Sequence, residues 1–322
     1  MPVVLTGASG VVGGAVARHL VAAGREVAGV ARSGTAATTL SALGVAPRSG
    51  DILDRGSLEA AFADAEVVYH VAGVNEFCLR DPAPMYQANV DGTRNVMRAA
   101  RATGVQRVVY TSSAIVLGEQ RGTVGNERSP HRGTFLSHYE RSKFEAERVA
   151  FDEADGLELV VVSPSSVQGP GRATGTGRLI LDVINGELPA LVDSTLSVVD
   201  IDDCARGHLL AEAEGAAGER YVLNGFCLGV RDAIAMLERL IDVEIAVRYL
   251  PRALARAAIP VVDAVNRVRS LPICGEMIRA MLHGHAYDGS KATRDLGLAY
   301  APAEATLRRT IDWFRSEGLI SR

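Results

Sequence analysis

Several things that would assign a function at once are missing from this sequence. No sign of charge dominates: 34 Lys and Arg stand against 38 Asp and Glu, a net charge of −4. That removes the electrostatic case for nucleic acid or an anionic membrane as a partner. No apolar run reaches the length of a bilayer span. The first apolar run begins at Val3, which leaves no room for a signal or transit peptide and makes the cytoplasm the expected compartment. The four cysteines, Cys78, Cys204, Cys227 and Cys274, are far apart and form no C-x-x-C pair. They are expected to be reduced thiols, and no metal site is expected. There is no low-complexity tract. What remains is an ordinary globular composition, 48% hydrophobic and 22% charged over 322 residues, enough for one large domain or two small ones.

The informative stretch is the N-terminus. Val3 to Thr6 reads as a buried strand, glycines follow at 7, 10 and 13, and a helical pattern runs through Ala15, Val16, Leu20 and Val21. The spacing is G-x-x-G-x-x-G, not the commoner G-x-G-x-x-G. A strand that turns through glycines into a helix suits a dinucleotide pyrophosphate. Gly7 allows the tight turn, Gly10 a close approach to its backbone, and Gly13 close packing of helix on strand. The helix N-terminus adds unpaired N–H groups and partial positive charge.

A second absence follows. The second strand, 25–32, ends in Arg32 and Ser33 with no carboxylate for the adenosine ribose hydroxyls. A guanidinium there suits a 2′-phosphate, so NADP(H) is the expected cofactor, with NAD(H) as the alternative. Asp51 follows a short third strand and is either an adenine contact or a turn aspartate. Asp54 precedes a helix over 57–63. A fourth strand, 66–73, ends in the small residues Ala72 and Gly73, where a cofactor can pass close to the backbone. A polar loop over 75–84 is expected to line the substrate site. Asn89 stands within a long helix, either as a surface residue or bonded to a backbone group near the site. A fifth strand, 106–113, ends in hydroxyls, and 118–133 reads as a flexible loop. A sixth strand, 157–163, leads into Pro164 to Gly171.

This alternation predicts an α/β fold, a Rossmann-type doubly wound parallel sheet over residues 1–168. Residues 169–322 read as a smaller, mostly helical substrate-binding region, with about 195–225 as a candidate return to the first domain. Helix breaks are expected at Leu250-Pro251, Ile259-Pro260 and Leu271-Pro272. Apolar helix over 253–265 is expected around the pocket mouth.

Tyr139 and Lys143 are i and i+4 on one helix face, and Ser113 ends a strand. Together they suggest proton transfer coupled to hydride transfer. A free tyrosine has a pKa of about 10. A nearby ammonium is expected to lower it, so that Tyr139 can exchange a proton with a substrate oxygen held by Ser113.

These pieces resemble the extended short-chain dehydrogenase/reductases, often called NAD-dependent epimerase/dehydratases. The resemblance rests on Thr6 to Gly13, Gly50-Asp51-Ile52, His70 to Gly73, Asn89 to Thr93, Thr111 to Ala114, Tyr139 to Lys143, Pro164 to Gly171 and Ser290 to Gly297. It implies Ser113, Tyr139 and Lys143 as catalytic residues. It implies cofactor contacts from Gly7, Ser9, Gly10, Val11, Val12, Gly13, Arg32, Ser33, Asp51, Ile52, Val71, Ala72, Gly73, Asn89, Thr111, Tyr139, Lys143, Pro164, Ser166 and Val167. Arg32 without an acid is similar to the NADP-using dihydroflavonol-reductase and 3β-hydroxysteroid branch. His70 to Gly73 and Thr310 to Phe314 are also similar to hopanoid-associated sugar-epimerase-like proteins. The family implies a small-molecule substrate and a homodimer built on the helix that carries the tyrosine. Three readings stand: a carbonyl reductase or alcohol dehydrogenase, a nucleotide-sugar epimerase or dehydratase with retained NAD, and a non-catalytic dinucleotide sensor. The second needs arginines for a diphosphate, for which Arg172, Arg178 and Arg231 are candidates.

Overall fold

The computed structural model describes all residues except 1, 189, 270, 272 and 322. Seven strands form one parallel sheet. In chain order they are β1 (Val3–Thr6), β2 (Val27–Ala31), β3 (Ala46–Ser49), β4 (Val67–His70), β5 (Arg107–Thr111), β6 (Glu158–Pro164) and, after an excursion, β10 (Arg220–Leu223). Their spatial order is β10-β6-β5-β4-β1-β2-β3. The central strands are apolar on both faces, as a sheet covered on both sides requires. The side-chain period of two divides them. Val3, Leu5, Val109, Val160 and Val162 point to one core, with helices α1 (Val11–Ala22) and α8 (Ile201–Glu214). Val4, Val108, Tyr110, Leu159 and Val161 point to the other, with α3 (Arg55–Phe62), α5 (Gly92–Ala102) and α6 (His138–Asp152). The sheet runs outward in both directions from β1 and β4, and ligands of such sheets bind beyond the strand ends at that reversal.

The helices start where the sequence provides caps. Asp54 accepts from Ser57 N, Ser137 from Glu140 N, and Asp200 from Asp202 N. Helix α2 (Gly34–Ala42) is capped by Ser33.

The remaining elements are α4 (Ala83–Tyr86), β7 (Ser166–Gln168), α7 (Thr176–Ile184), β8 (Ala190–Val192), β9 (Thr195–Asp200), β11 (Phe226–Gly229), α9 (Val230–Ile241), β12 (Arg248–Leu250), α10 (Arg252–Val268), α11 (Gly275–His283), α12 (Ser290–Leu296) and α13 (Ala303–Ser316). A π-helical turn, Gln87–Asp91, separates α4 from α5. Ile184, Leu191, Leu237, Ile311 and Phe314 centre a second, smaller core. Strands β11, β9 and β7 make a three-stranded sheet beside it. No helix among the described residues is long and apolar enough to cross a membrane.

Three expectations are corrected. Helix α10 does not break at Ile259-Pro260 but continues through Pro260. Pro260 is exposed, so the carbonyl its missing N–H leaves unpaired lies where water can reach it, while the inner face packs on α11. (Pro251 does precede α10; Pro272 lies outside the described residues.) Cys78 and Cys274 are not free thiols: they form a disulfide, with Cα atoms 5.5 Å apart across 196 positions of sequence. The fold brings the loop after β4 to the start of α11, a proximity no local pattern announces. Finally, 118–133 is tied down. Gly125 bridges to Tyr287, Arg132 N donates to Gly118 O, and Glu119 is buried.

Candidate active site

A cavity of about 1100 Å³ opens along the ends of β1, β4, β5 and β6 and continues into the second core. Its first part is a cradle. Gly7 has φ +76°, and a Cβ on it would lie 2.6 Å from Ala72 N. A Cβ on Gly13 would lie 2.2 Å from Gly7 O. Neither position admits a side chain. A Cβ on Gly10 would meet only Gly7 O, at 3.3 Å, so its other side is open to the cavity. Helix α1 begins at Val11 with no side-chain cap, which leaves first-turn N–H groups for an anion. A dinucleotide pyrophosphate fits this donor set.

The expected cofactor residues gather here. Gly7, Ser9, Gly10, Val11, Val12, Gly13, Arg32, Ser33, Asp51, Ile52, Val71, Ala72, Gly73, Thr111, Pro164, Ser166 and Val167 all line the cavity, as do Ser113, Tyr139 and Lys143. Asn89 does not. It is buried behind the wall, where its amide donates to Val74 O at 3.0 Å and Ser142 Oγ at 2.9 Å and its oxygen accepts from Val74 N at 2.7 Å. Asp51 accepts from Leu53 N at 3.0 Å, so the turn reading is realised while the carboxylate still borders the cavity.

A buried hydrogen-bonded run sets the site's shape, and its direction can be read from one bond. The Thr93 hydroxyl donates to Asn89 O at 2.6 Å, so it must accept from His70 Nε2 at 3.0 Å. His70 Nδ1 then accepts from Thr6 Oγ1 at 2.8 Å, and Thr6 Oγ1 accepts from Ala72 N at 3.3 Å. Complete burial holds the His70 pKa down to about 3, so the ring is neutral. Through Asn89 the run reaches Ser142, whose hydroxyl donates to Tyr139 O at 2.9 Å. The glycine turn and the helix carrying Tyr139 are thus fixed to each other. On β5, the Thr111 hydroxyl meets Nε2 of buried His208 at 2.9 Å.

The expected effect of Lys143 on Tyr139 is corrected. Burial raises the Tyr139 pKa; the influences that lower it come from the Ser113 hydroxyl and the Arg172 guanidinium. The Lys143 ammonium points to Thr111 O at 2.8 Å and Tyr110 OH at 3.2 Å. Desolvation lowers its own pKa to about 8, against an opposing pull from Glu147.

Beyond Tyr139 the wall turns apolar, with Ile180, Val183, Leu191, Ile234, Leu237 and Met281 among its residues. Of the candidate diphosphate arginines, Arg178 is paired with Asp182 and Glu187, and Arg231 with Asp193 while stacked on Tyr249. Arg172 lines the cavity with no ion-pair partner among the described residues, its Nε buried and without a hydrogen bond. No residue of α10 lines the cavity, which corrects the expectation that 253–265 would surround its mouth. Helix α11 does so through Met277, Ala280 and Met281.

Sequence reasoning missed two features. Phe77 packs on the Tyr139 ring, centroids 5.7 Å apart, from the polar loop after β4. Glu119, His283 and His285 converge, with Glu119 Oε1 3.3 Å from His283 Nε2 and 2.7 Å from His285 Nδ1. Despite burial, these imidazoles hold the Glu119 pKa at about 2. The H-G-H spacing at 283–285 was the one local signal, and its partner lies more than 160 positions away.

The sequence pattern of the NAD dependent epimerase/dehydratase family matches residues 3–223. Sterol demethylase protein B of Methylococcus capsulatus is 32% identical, covering 99% of this chain and 100% of its own. The 2-alkyl-3-oxoalkanoate reductase of Shewanella oneidensis is 28% identical, covering 91% of this chain and 81% of its own. Among solved structures, a nucleoside-diphosphate-sugar epimerase from Pseudomonas aeruginosa superposes with a TM-score of 0.82 at 27% identity, covering 100% of this chain and 99% of its own. With the glycine cradle, the covered strand ends and a match over more than half its length, the chain belongs to the NAD-dependent epimerase/dehydratase family, the extended short-chain dehydrogenase/reductases, and is an NAD(P)-dependent oxidoreductase.

Proposed function

We propose that the protein carries out net oxidoreduction on a lipophilic ketone or secondary alcohol, with NADP(H) as its exchangeable cofactor. The observation that carries this reading is the substrate end of the cavity: apolar walls, with Arg178 and Arg231 committed to carboxylates. A nucleotide sugar needs a diphosphate clamp, and of the three candidate arginines Arg172 alone has no ion-pair partner among the described residues. A dinucleotide sensor has no need of Ser113, Tyr139 and Lys143 together at one cavity.

In this reading the nicotinamide, when bound, supplies or accepts hydride at the reacting carbon. Ser113 orients the substrate oxygen by hydrogen bonding. Tyr139 delivers or removes the proton on that oxygen. Lys143 holds the ribose, while the Ser113 hydroxyl and the Arg172 guanidinium are the groups that favour the phenolate. Phe77 and the apolar wall keep the reacting centre dry. The amide N–H groups after Gly10 hold the pyrophosphate. Arg32, exposed at the cavity edge with no ion-pair partner among the described residues, is free for a 2′-phosphate.

The same proposal makes residues 1–168 the dinucleotide-binding unit and 169–322 the substrate region, with the β9–β10 segment returning to the first, and takes the working form as a homodimer built on α5 and α6. The test is incubation of the purified protein with NADPH and a panel of ketones, with isolation of the product. Stoichiometric conversion of NADPH and ketone to NADP and alcohol is expected. No net cofactor consumption, with NAD retained through purification and a nucleotide-sugar hydroxyl inverted, would replace the proposal by the epimerase reading. Light scattering tests the dimer.

A further inference from the structure

Helix α10 is apolar on two faces, and only one of them is covered. Its inner face, with Ala255, Ile259 and Val262, packs against Ile278 and Leu282 of α11. Ala255 is the one fully buried residue of its 17. The outer face carries Leu254, Val261, Val265 and Val268, exposed by 58%, 63%, 40% and 87%, with Ala257 and Ala264 also exposed among them. The spacing 254, 257, 261, 265, 268 is three to four residues throughout, so these side chains form one continuous stripe. Leu250, just before the helix, is exposed as well. An outward apolar stripe of this length has no role in the fold of a single chain.

The charges around it are mainly basic. Arg256 and Arg267 are exposed on the adjoining side of the helix, and Arg269 follows the helix end. The only carboxylate of α10, Asp263, is 40% exposed on the same side as these arginines; it accepts from Gly275 N at 2.8 Å and lies 3.7 Å from Arg279. At the helix start, Arg121, Val124 and Asp193 share a surface depression with Arg252, and Val124 is 58% exposed. The net charge of −4 for the whole chain therefore conceals a local patch that is apolar at its centre and basic at its edge.

We propose that the outer face of α10 docks the protein onto an anionic lipid surface. Leu254, Val261, Val265 and Val268 enter the boundary between headgroups and acyl chains, and the arginines meet the headgroups with their stems along the apolar surface. A second copy of the chain fits this face poorly. A two-fold contact would bring the mainly basic edges of both copies to one seam, where the one carboxylate of α10, Asp263, is already held by Gly275 N and Arg279. Docking has a consequence for the cavity. Helix α11 lies directly beneath α10 and lines the cavity with Met277, Ala280 and Met281. The apolar end of the cavity is then one helix away from the lipid. Docking itself rests on the α10 surface alone; this consequence also rests on the proposed lipophilic substrate.

The test is sedimentation of the full-length protein with vesicles. One set is an equal mixture of phosphatidylglycerol and phosphatidylcholine, the other phosphatidylcholine alone. Binding to the mixed vesicles is expected, at least about 10-fold stronger than to phosphatidylcholine and weakened by added salt. Each basic residue near an anionic surface is worth about fivefold, so Arg256→Ala with Arg267→Ala should weaken binding on the order of 25-fold. Val261→Glu with Val265→Glu should abolish it. All four positions are exposed, and an unchanged thermal melt confirms that the variants are folded. Sedimentation does not require turnover, so its outcome stands apart from that of the reductase assay. Failure to bind the mixed vesicles, or equal binding by the glutamate variant, overturns the proposal. So does light scattering that shows a dimer which Val261→Glu with Val265→Glu converts to monomer, since the face would then belong to a second copy.

Discussion

The sheet and the helical region hold their parts of the cavity by different means. Around β1 and β4 one hydrogen-bonded run, Ala72 to Thr6 to His70 to Thr93 to Asn89, continues through Ser142 to the backbone of Tyr139. Each bond has a defined donor, so a shift of one group unpairs its neighbour in a buried setting, which is costly. Past Tyr139 one side of the wall is packed from Ile180, Leu191, Ile234 and Leu237, facing a polar edge where Ser197, Tyr287 and His285 are hydrogen-bonded to one another. Apolar packing tolerates volume-conserving exchange. The first arrangement suits chemistry that demands fixed geometry, and the second suits a substrate recognised by shape and burial.

That contrast can be broken or sharpened by experiment. The largest effect should come from Tyr139→Phe. The ring still packs on Phe77, but the proton is gone, and turnover should fall by roughly 10²–10⁴-fold. Cofactor affinity, measured by fluorescence titration, should stay nearly constant; turnover within a few-fold of the parent would remove Tyr139 from the proposed role.

Acid should strain the polar side of the comparison first. Burial lowers the His70 pKa to about 3 and that of His208 to about 4, from an ordinary value of 6.5. Below pH 6.5 the unfolded chain therefore binds protons that the folded one refuses, and stability falls as pH falls. Between pH 6.5 and 5.0 the loss is up to about 2 kcal/mol for each histidine. Glu119, held down to about 2, acts in the same direction over a lower window: its stabilisation is complete above about pH 4.5 and is lost toward pH 2. Urea denaturation at pH 7.0, 6.0 and 5.0 checks the first window. A midpoint that does not move between pH 6.5 and 5.0 would mean that these rings are not buried and neutral.

Smaller effects probe the cavity's two ends. Arg32→Ala should lower the preference for NADP over NAD on the order of 10-fold, toward the lower end of what a charge-assisted contact is worth because the site is exposed. Titration of both cofactors against parent and variant reads this, and an unchanged ratio clears Arg32 of the role. The smallest change is expected from Arg178→Ala and Arg231→Ala, each within about twofold in KM for a lipophilic ketone, since surface ion pairs contribute little. A KM increase of tenfold or more in either would place an anionic substrate group there.

The difference between the regions also decides what the sequence made legible. Glycines with no room for a Cβ, Asp54 before its helix, and the i, i+4 pair Tyr139 and Lys143 are local patterns, each imposed by backbone geometry within a few residues. They placed the sheet, the cradle and the catalytic candidates. Three features are completed by tertiary contact, so no local pattern gave them whole: the Cys78–Cys274 bond, the Glu119–His283–His285 group, and the choice of Val74 and Ser142 as the partners of Asn89. The pKa of Tyr139 was misread for the same reason. Proximity to Lys143 along the helix could be counted, but the burial that raises the phenol and the arrival of Arg172 from beyond β6 could not. Pro260 was read as a break because a helix interior normally excludes it, and the outcome turned on which face met solvent.

The central claim is that an apolar cavity, not a diphosphate clamp, selects the substrate for Tyr139. It is tested most directly by kcat/KM for NADPH-dependent reduction of a homologous series of straight-chain ketones. Each methylene that enters the cavity contributes about 0.8 kcal/mol, so the account predicts an increase of roughly three- to fourfold per carbon until the cavity is filled. A flat series, together with competitive inhibition by a nucleotide sugar at concentrations where the ketones have no effect, would contradict it.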